Sequence, residues 1–171
     1  SERVTHFRGL AARGNYLSAD RPECQFSAKE VCRWMAAPTE LGIQDPKRLA
    51  RYLVGKPRLL YVYKLQSADA MDLYSDTDWA GCVRTRKSTS GGAAMVGSHL
   101  IKSWSSTQPN ISLSSGEAEM VGVTRAAAAG LGLRSLAQDL GKQWRLRVWT
   151  DSTASIGMCS RQGVGKVRHL E

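Results

Sequence analysis

The sequence predicts an α/β fold with a mixed sheet, preceded by a small helical segment, and three observations carry that prediction. The first third has apolar residues at helical spacing. After Pro57 the period shifts toward alternation. From Met71 on, the elements run strand, strand, strand, helix, strand, helix, strand, so a meander is followed by a parallel part reached through helical crossovers.

Each element has its own local reason. Phe7 to Leu17 runs through Leu10, Ala11, Ala12 and Tyr16 as a helix, broken by Asp20-Arg21-Pro22. A second helix is expected from Pro22 to Met35, with Phe26, Val31 and Trp34 on its apolar side, ending before Pro38. Asp45-Pro46 reads as an N-cap with proline at the first helical position, opening a short helix from Lys47 to Val54. Leu59 to Tyr63, Met71 to Asp76, Gly91 to Val96 and Leu100 to Ser105 are strand-like, the last two separated by Gly97-Ser98. A long helix is expected from Ser115 to about Leu140, ended by Gly141. A strand at Arg145–Thr150, a helix at Ser152–Ser160 and an extended piece at Val167–Leu170 complete the reading.

At 171 residues the chain can hold one domain with an appendage and a substantial core. No apolar run reaches the length of a membrane span and no basic-then-apolar leader pattern is present, so no membrane partner is expected. Cys24, Cys32, Cys82 and Cys159 show no paired spacing, and read as reduced, mostly buried thiols of an intracellular chain instead of a zinc site. A net charge of +9 favours a polyanionic partner, with nucleic acid the usual one.

The acids collect at three places where elements change. Asp76 and Asp78, in "LYSDTDWAG", leave the first sheet strand two residues apart and on one side of it. Glu117 and Glu119 open the long helix in "LSSGEAEMVGV". Asp151 follows the strand of "RLRVWTDSTAS". Ordinary structural roles exist for most of them. Ser114 and Glu117 fit a capping box, Asp151 fits an N-cap, and Asp78 fits a solvated turn. Glu119 is harder to explain so. It heads a face of small residues, Gly122, Val123, Ala126, Ala127 and Gly130, suited to close approach to a sheet, where an unpaired carboxylate is costly. With Asp76 and Asp151 at the ends of adjacent strands, Glu119 would come over the same spot. Three clustered carboxylates repel unless protonated or bridged by a cation. Oxygen ligands alone point to Mg²⁺ or Mn²⁺, and a pair of such ions suits phosphodiester cleavage.

Four short motifs, "YSDTDWAG", "RTRKSTSGG", "KSWSSTQPNISLSSGEAEM" and "WTDSTAS", resemble, in order and spacing, the ribonuclease H domain of Pol polyproteins from Ty1/copia-type LTR retrotransposons. The likeness runs from Leu73 to Glu171. "RPECQFSAKEVCRWMAAP" and "DPKRLARYLVGK" resemble the segment that joins reverse transcriptase to that domain. The resemblance implies a helical connection over residues 1–68 and a ribonuclease H-like domain over 69–171, with a five-stranded mixed sheet and a final helix beyond this chain. It also implies a metal-dependent endoribonuclease that hydrolyses the RNA strand of RNA–DNA hybrids with two Mg²⁺ or Mn²⁺ ions.

Carried over by position, the metal-binding and catalytic carboxylates fall on Asp76, Glu119 and Asp151. Glu171 takes the fourth place in "RHLE", where the family usually has aspartate. Glu119 is preferred to Glu117 because a hydrophobic residue, Met120, follows it. The longer side chain at position 171 leaves room for another reading, a catalytically inactive nucleic-acid-binding or structural piece of the same polyprotein. Arg84, Arg86, Lys87, Ser88 and Thr89 form a basic, hydroxyl-rich loop suited to phosphate contacts, while a solvated turn is its ordinary reading. Trp79 and Trp104 could stack on sugar or base faces, though burial is their commoner fate. The implied partners are the hybrid and the reverse transcriptase of the same polyprotein, in a cytoplasmic retroelement particle with the nucleus as a further location.

Overall fold

The structure, a computed structural model, describes residues 2–40 and 42–161. The chain divides into two compact units, Ser1–Lys64 and Leu65–Glu171.

In the first unit, α1 (Glu2–Leu17) and α2 (Gln25–Cys32) bury Phe7, Ala11 and Val31 between them. A 3₁₀ turn at Pro22–Cys24 precedes α2, so the helix expected from Pro22 to Met35 is shorter and split. The Arg33 N–H bonds back to Glu30 at 3.2 Å, three residues away, which tightens and closes the last turn. The third helix, α3 (Gln44–Gly55), starts before Asp45. Ile43 is its N-cap, with no side-chain cap, and Asp45 and Pro46 lie inside the first turn. Proline is tolerated there because the first N–H groups of a helix have no intrahelical acceptor. The strand-like run Leu59–Tyr63 forms no regular element among the described residues, and Leu60 is 84% exposed. A strand needs a neighbour, and this run has none in its unit.

The second unit is a four-stranded sheet, against the five strands expected, in the order β3-β2-β1-β4. The expected piece Val167–Leu170 lies outside the described residues. Strand β1 (Ala70–Asp78) alternates strictly at its end: Leu73, Ser75 and Thr77 are buried, while Tyr74, Asp76 and Asp78 face solvent. Strands β2 (Thr89–Val96) and β3 (His99–Thr107) form a hairpin whose turn uses Gly97 at φ +56, a conformation open to glycine. Strand β4 (Arg145–Trp149) pairs with β1 in parallel, from Ala70↔Arg145 to Tyr74↔Trp149.

The crossover is α4 (Ser115–Asp139), and α5 (Thr153–Cys159) follows β4. The core is Met71, Leu73, Ala94, Val96, Trp104 and Ala126, with Leu133, Trp144 and Leu146 packed on it. Trp104 is therefore a core residue, whereas Trp79 is 48% exposed. Cys24 and Cys82 are buried and Cys159 is exposed, with no disulfide among the described residues. Among the described residues no helix is long and apolar enough to cross a membrane.

Candidate metal centre

Parallel pairing of β1 and β4 brings two strand ends to one edge. The last paired residues are Tyr74 and Trp149, and two positions further along each strand stand Asp76 and Asp151. The third acid arrives by close packing. A Cβ added to Gly122 would come within 2.5 Å of Thr77 Oγ1 and 2.9 Å of Ser75 Oγ, and one at Gly130 within 2.2 Å of Leu73 Cδ1. With no side chain at either position, α4 lies directly on β1. Glu119, three residues before Gly122, then reaches the same edge. One carboxylate oxygen from each of Asp76, Glu119 and Asp151 lies within 4.8 Å of the others.

Asp76 and Asp151 are exposed, and Glu119 is only 9% exposed. None of the ion pairs among the described residues reaches any of the three. Asp76 Oδ1 accepts the Thr77 N–H at 2.9 Å, which fixes one of its oxygens. Glu119 Oε2 is buried without a hydrogen-bond partner. Burial, then repulsion from Asp76, raises the Glu119 pKa; the Thr77 N–H opposes the rise and Asp151 adds to it. An orphaned, desolvated carboxylate oxygen beside two others is an acceptor lacking a proton donor or a cation, and the set offers only hard oxygen. These residues fit Mg²⁺ or Mn²⁺.

The other acids have local employment. Asp78 packs over the next loop, so close to Gly81 that a Cβ there would overlap its carboxylate, and it takes no part in the cluster. Ser114 Oγ accepts the Glu117 N–H at 3.2 Å, and Glu117 Oε2 accepts the Leu113 N–H at 2.7 Å; Glu117 therefore serves the helix start. The expected cap at Asp151 falls instead to Ser152, whose hydroxyl accepts the Ser155 N–H at 3.2 Å. That shift by one residue leaves Asp151 free to face the cluster. Glu171 lies outside the described residues.

The basic loop divides into an outer and an inner part. Arg84 and Arg86 are exposed, and Arg86 holds φ +56, with its N–H on the Cys82 carbonyl at 2.6 Å. Lys87 is half-buried, and its carbonyl accepts the Cys82 N–H at 3.2 Å. Ser88 and Thr89, expected in the phosphate-contacting loop, are buried in this structure. Ser88 Oγ accepts the Ala80 N–H at 3.0 Å, holding the loop to the end of β1. Sequence reading also passed over the cleft beside the acids, where Tyr74, Gly91, Gly92, Trp149 and Thr150 join Asp76 and Asp151. Alternation in β1 and β4, which puts Tyr74 and Trp149 on the outer face with Asp76, is the signal that could have found it.

Fold and site together define the class: an α/β protein with a mixed sheet that carries a three-carboxylate centre at one edge. No protein-family model matches the chain. It is 35% identical over 138 residues to the retrovirus-related Pol polyprotein from transposon RE1 of Arabidopsis thaliana, across 80% of this chain and 9% of that one. Its identity to the retrovirus-related Pol polyprotein from transposon RE2 of the same plant is 34% over 140 residues, 81% of this chain and 10% of the relative. An uncharacterized mitochondrial protein of Arabidopsis thaliana is 36% identical over 124 residues, 71% of this chain and 51% of its own length. The chain is thus a relative of retrotransposon Pol polyproteins, spanning about a tenth of the two it matches and about half of the mitochondrial protein.

Proposed function

We propose that the chain is a metal-dependent endoribonuclease that hydrolyses the RNA strand of RNA–DNA hybrids within a retrotransposon Pol polyprotein. The observation that carries this reading is the convergence of Asp76, Glu119 and Asp151, with their oxygens within 4.8 Å and a buried Glu119 oxygen left without a partner. Relatedness to Pol polyproteins supports the same reading.

The parts divide the work. Asp76, Glu119 and Asp151 would hold Mg²⁺ or Mn²⁺, two ions in the full arrangement. Bound divalent ions supply an activated water and neutralise charge at the leaving oxygen. The Thr77 N–H holds Oδ1 of Asp76 and so limits rotation of that carboxylate at the centre. Exposure of Asp76 and Asp151 admits a phosphodiester from the solvent side, while Glu119 closes the floor. Arg84 and Arg86, on the loop that follows β1, contact phosphates of the same substrate by charge. Reverse transcriptase of the same polyprotein is the natural source of the hybrid.

The test is cleavage of a labelled RNA–DNA hybrid in Mg²⁺ or Mn²⁺, with EDTA as control. The expected result is cutting of the RNA strand that disappears with EDTA and with Asp76→Asn. A protein that binds the hybrid and never cuts it would instead be a nucleic-acid-binding module. Full activity in Asp76→Asn would remove Asp76 from the centre.

A further inference from the structure

Glu119 is held only weakly by its own contacts, the Thr77 N–H being the one backbone group that favours its charged form. One of its oxygens has no partner, and its two neighbours in the cluster carry the same charge. Repulsion from Asp76 and Asp151 pushes the head of α4 away from the sheet, at the end of the helix where backbone bonds are fewest. Some other contact must hold that first turn down. One buried side chain, Gln108, stands in the right place.

Gln108 lies just past the end of β3 and is 4% exposed. Its Nε2 donates to Ser90 Oγ on β2 at 2.9 Å and to the carbonyl of Ala118 on α4 at 2.8 Å. Its Oε1 accepts the Ser112 hydroxyl at 3.1 Å, and its own N–H donates to the Ser88 carbonyl at 2.8 Å. Both amide hydrogens are therefore committed, and the ring of partners joins the sheet, the first turn of α4 and the loop leading into it. The Ser112 carbonyl accepts Trp79 Nε1–H at 3.1 Å, which extends the tie to the residue just beyond β1. Ala118 directly precedes Glu119.

We infer that Gln108 is a positioning residue for the metal centre: by holding the Ala118 carbonyl against Ser90, it keeps Glu119 within reach of Asp76 and Asp151. This rests on the metal-centre reading above. A fully satisfied buried amide has one low-energy orientation, because any rotation leaves a donor or acceptor unpaired in low dielectric. The bond from Nε2 pulls the helix head sheetward, against the direction in which the carboxylates drive it. Outer partners of this kind typically alter metal affinity by about 10–100-fold when removed.

The experiment measures Mn²⁺ affinity of the full chain by calorimetry and by the loss of free-ion EPR signal, at a temperature well below unfolding. Gln108→Met keeps length and approximate volume and removes all three side-chain bonds. With its far-UV CD spectrum unchanged, this variant is expected to bind Mn²⁺ about 10–100-fold more weakly than wild type. Ser112→Ala removes only the bond to Oε1; it is expected to weaken binding several-fold, and it carries the test if Gln108→Met does not fold. A part that serves folding alone would lower Tm and leave Mn²⁺ affinity of the folded protein unchanged. Wild-type affinity in either folded variant, beside a clear loss in Asp76→Asn, would overturn the positioning role and leave the centre standing. Absence of Mn²⁺ binding by the wild type would overturn the centre and the positioning role together.

Discussion

Glu119 and Asp72 are two acids of one small sheet unit with opposite surroundings, and their contrast sets the expected responses to substitution and to pH. Glu119 is buried beside two like charges, and its pKa is raised first by burial and then by Asp76. Without a cation its charged form opposes folding. Glu119→Gln removes that charge while keeping shape, so the metal-free protein should gain about 1 kcal/mol and about 2–4 °C in Tm. Melting curves in EDTA check this, and the same variant should lose the stabilisation that Mg²⁺ gives the wild type. A lower Tm for Glu119→Gln in EDTA would contradict the account of repulsion and burial.

Asp72 is held the other way. Arg147 Nε and Nη2 donate to its two oxygens at 2.7 Å each, and Trp149 Nε1 donates at 2.7 Å to Oδ1. The Arg147 bond, then the Trp149 bond, depresses its pKa. Because the folded value lies below the unfolded one, this contribution is complete above the ordinary aspartate range. It is lost as pH falls through the depressed value. Arg147 is half-exposed, so added salt should reduce the effect. Urea midpoints measured downward from about pH 5 should therefore fall more steeply for wild type than for Asp72→Asn. Parallel pH profiles for the two proteins would show that the pair contributes nothing across β1 and β4.

At the level of elements, the decisive fit is α4 on β1. Gly130→Ala places a methyl 2.2 Å from Leu73 Cδ1 in the core, and Gly122→Ala places one 2.5 Å from Thr77 Oγ1. Overpacking of this kind costs about 1–3 kcal/mol, which outweighs the gain of nearly 1 kcal/mol from replacing helical glycine. A Cβ added to Gly132 would meet nothing within 4 Å, so Gly132→Ala should stabilise the same helix by up to about 1 kcal/mol. Urea denaturation of the three variants tests the sign at each site. Gly122→Ala should also weaken Mn²⁺ binding, since lifting the helix head carries Glu119 with it. The run of small residues in α4 was readable in the chain and meant close approach. Which glycine meets a hydroxyl and which meets a leucine was not, because that depends on the registers of β1 and β2. Helix starts misled for a related reason. Asp45 and Asp151 are good capping residues by type, yet α3 begins two residues earlier and α5 one residue later than that rule places them. A shift of one or two positions costs little locally and is decided by what the rest of the helix buries.

Across the molecule, the net charge of +9 is expected to act through the phosphate backbone of a hybrid. Binding should weaken steeply with salt, and Arg84→Ala and Arg86→Ala should each reduce the slope of log K against log salt by about 1. Fluorescence anisotropy with a labelled hybrid across a salt series measures it. An unchanged slope in both variants would move the contact away from this loop. Ser88 and Thr89 belong to the same sequence motif as these arginines but face inward, so substitutions there should act on stability more than on the slope.

Residue order and spacing were enough to predict the class of fold and the meander before the long helix, and to single out the three carboxylates as candidates, because strand and helix periods and element ends are local properties of a chain. Their meeting within 4.8 Å was settled by packing: β1 and β4 had to pair in parallel register, and α4 had to lie on bare glycine. The role of Gln108 shows the same divide most sharply. In the stretch "STQPN" it reads as a polar loop residue, and only folding buries it among Ser90, Ser112 and Ala118; Ser112 is a near neighbour in the chain, but Ser90 and Ala118 lie too far along it for a local pattern to announce them.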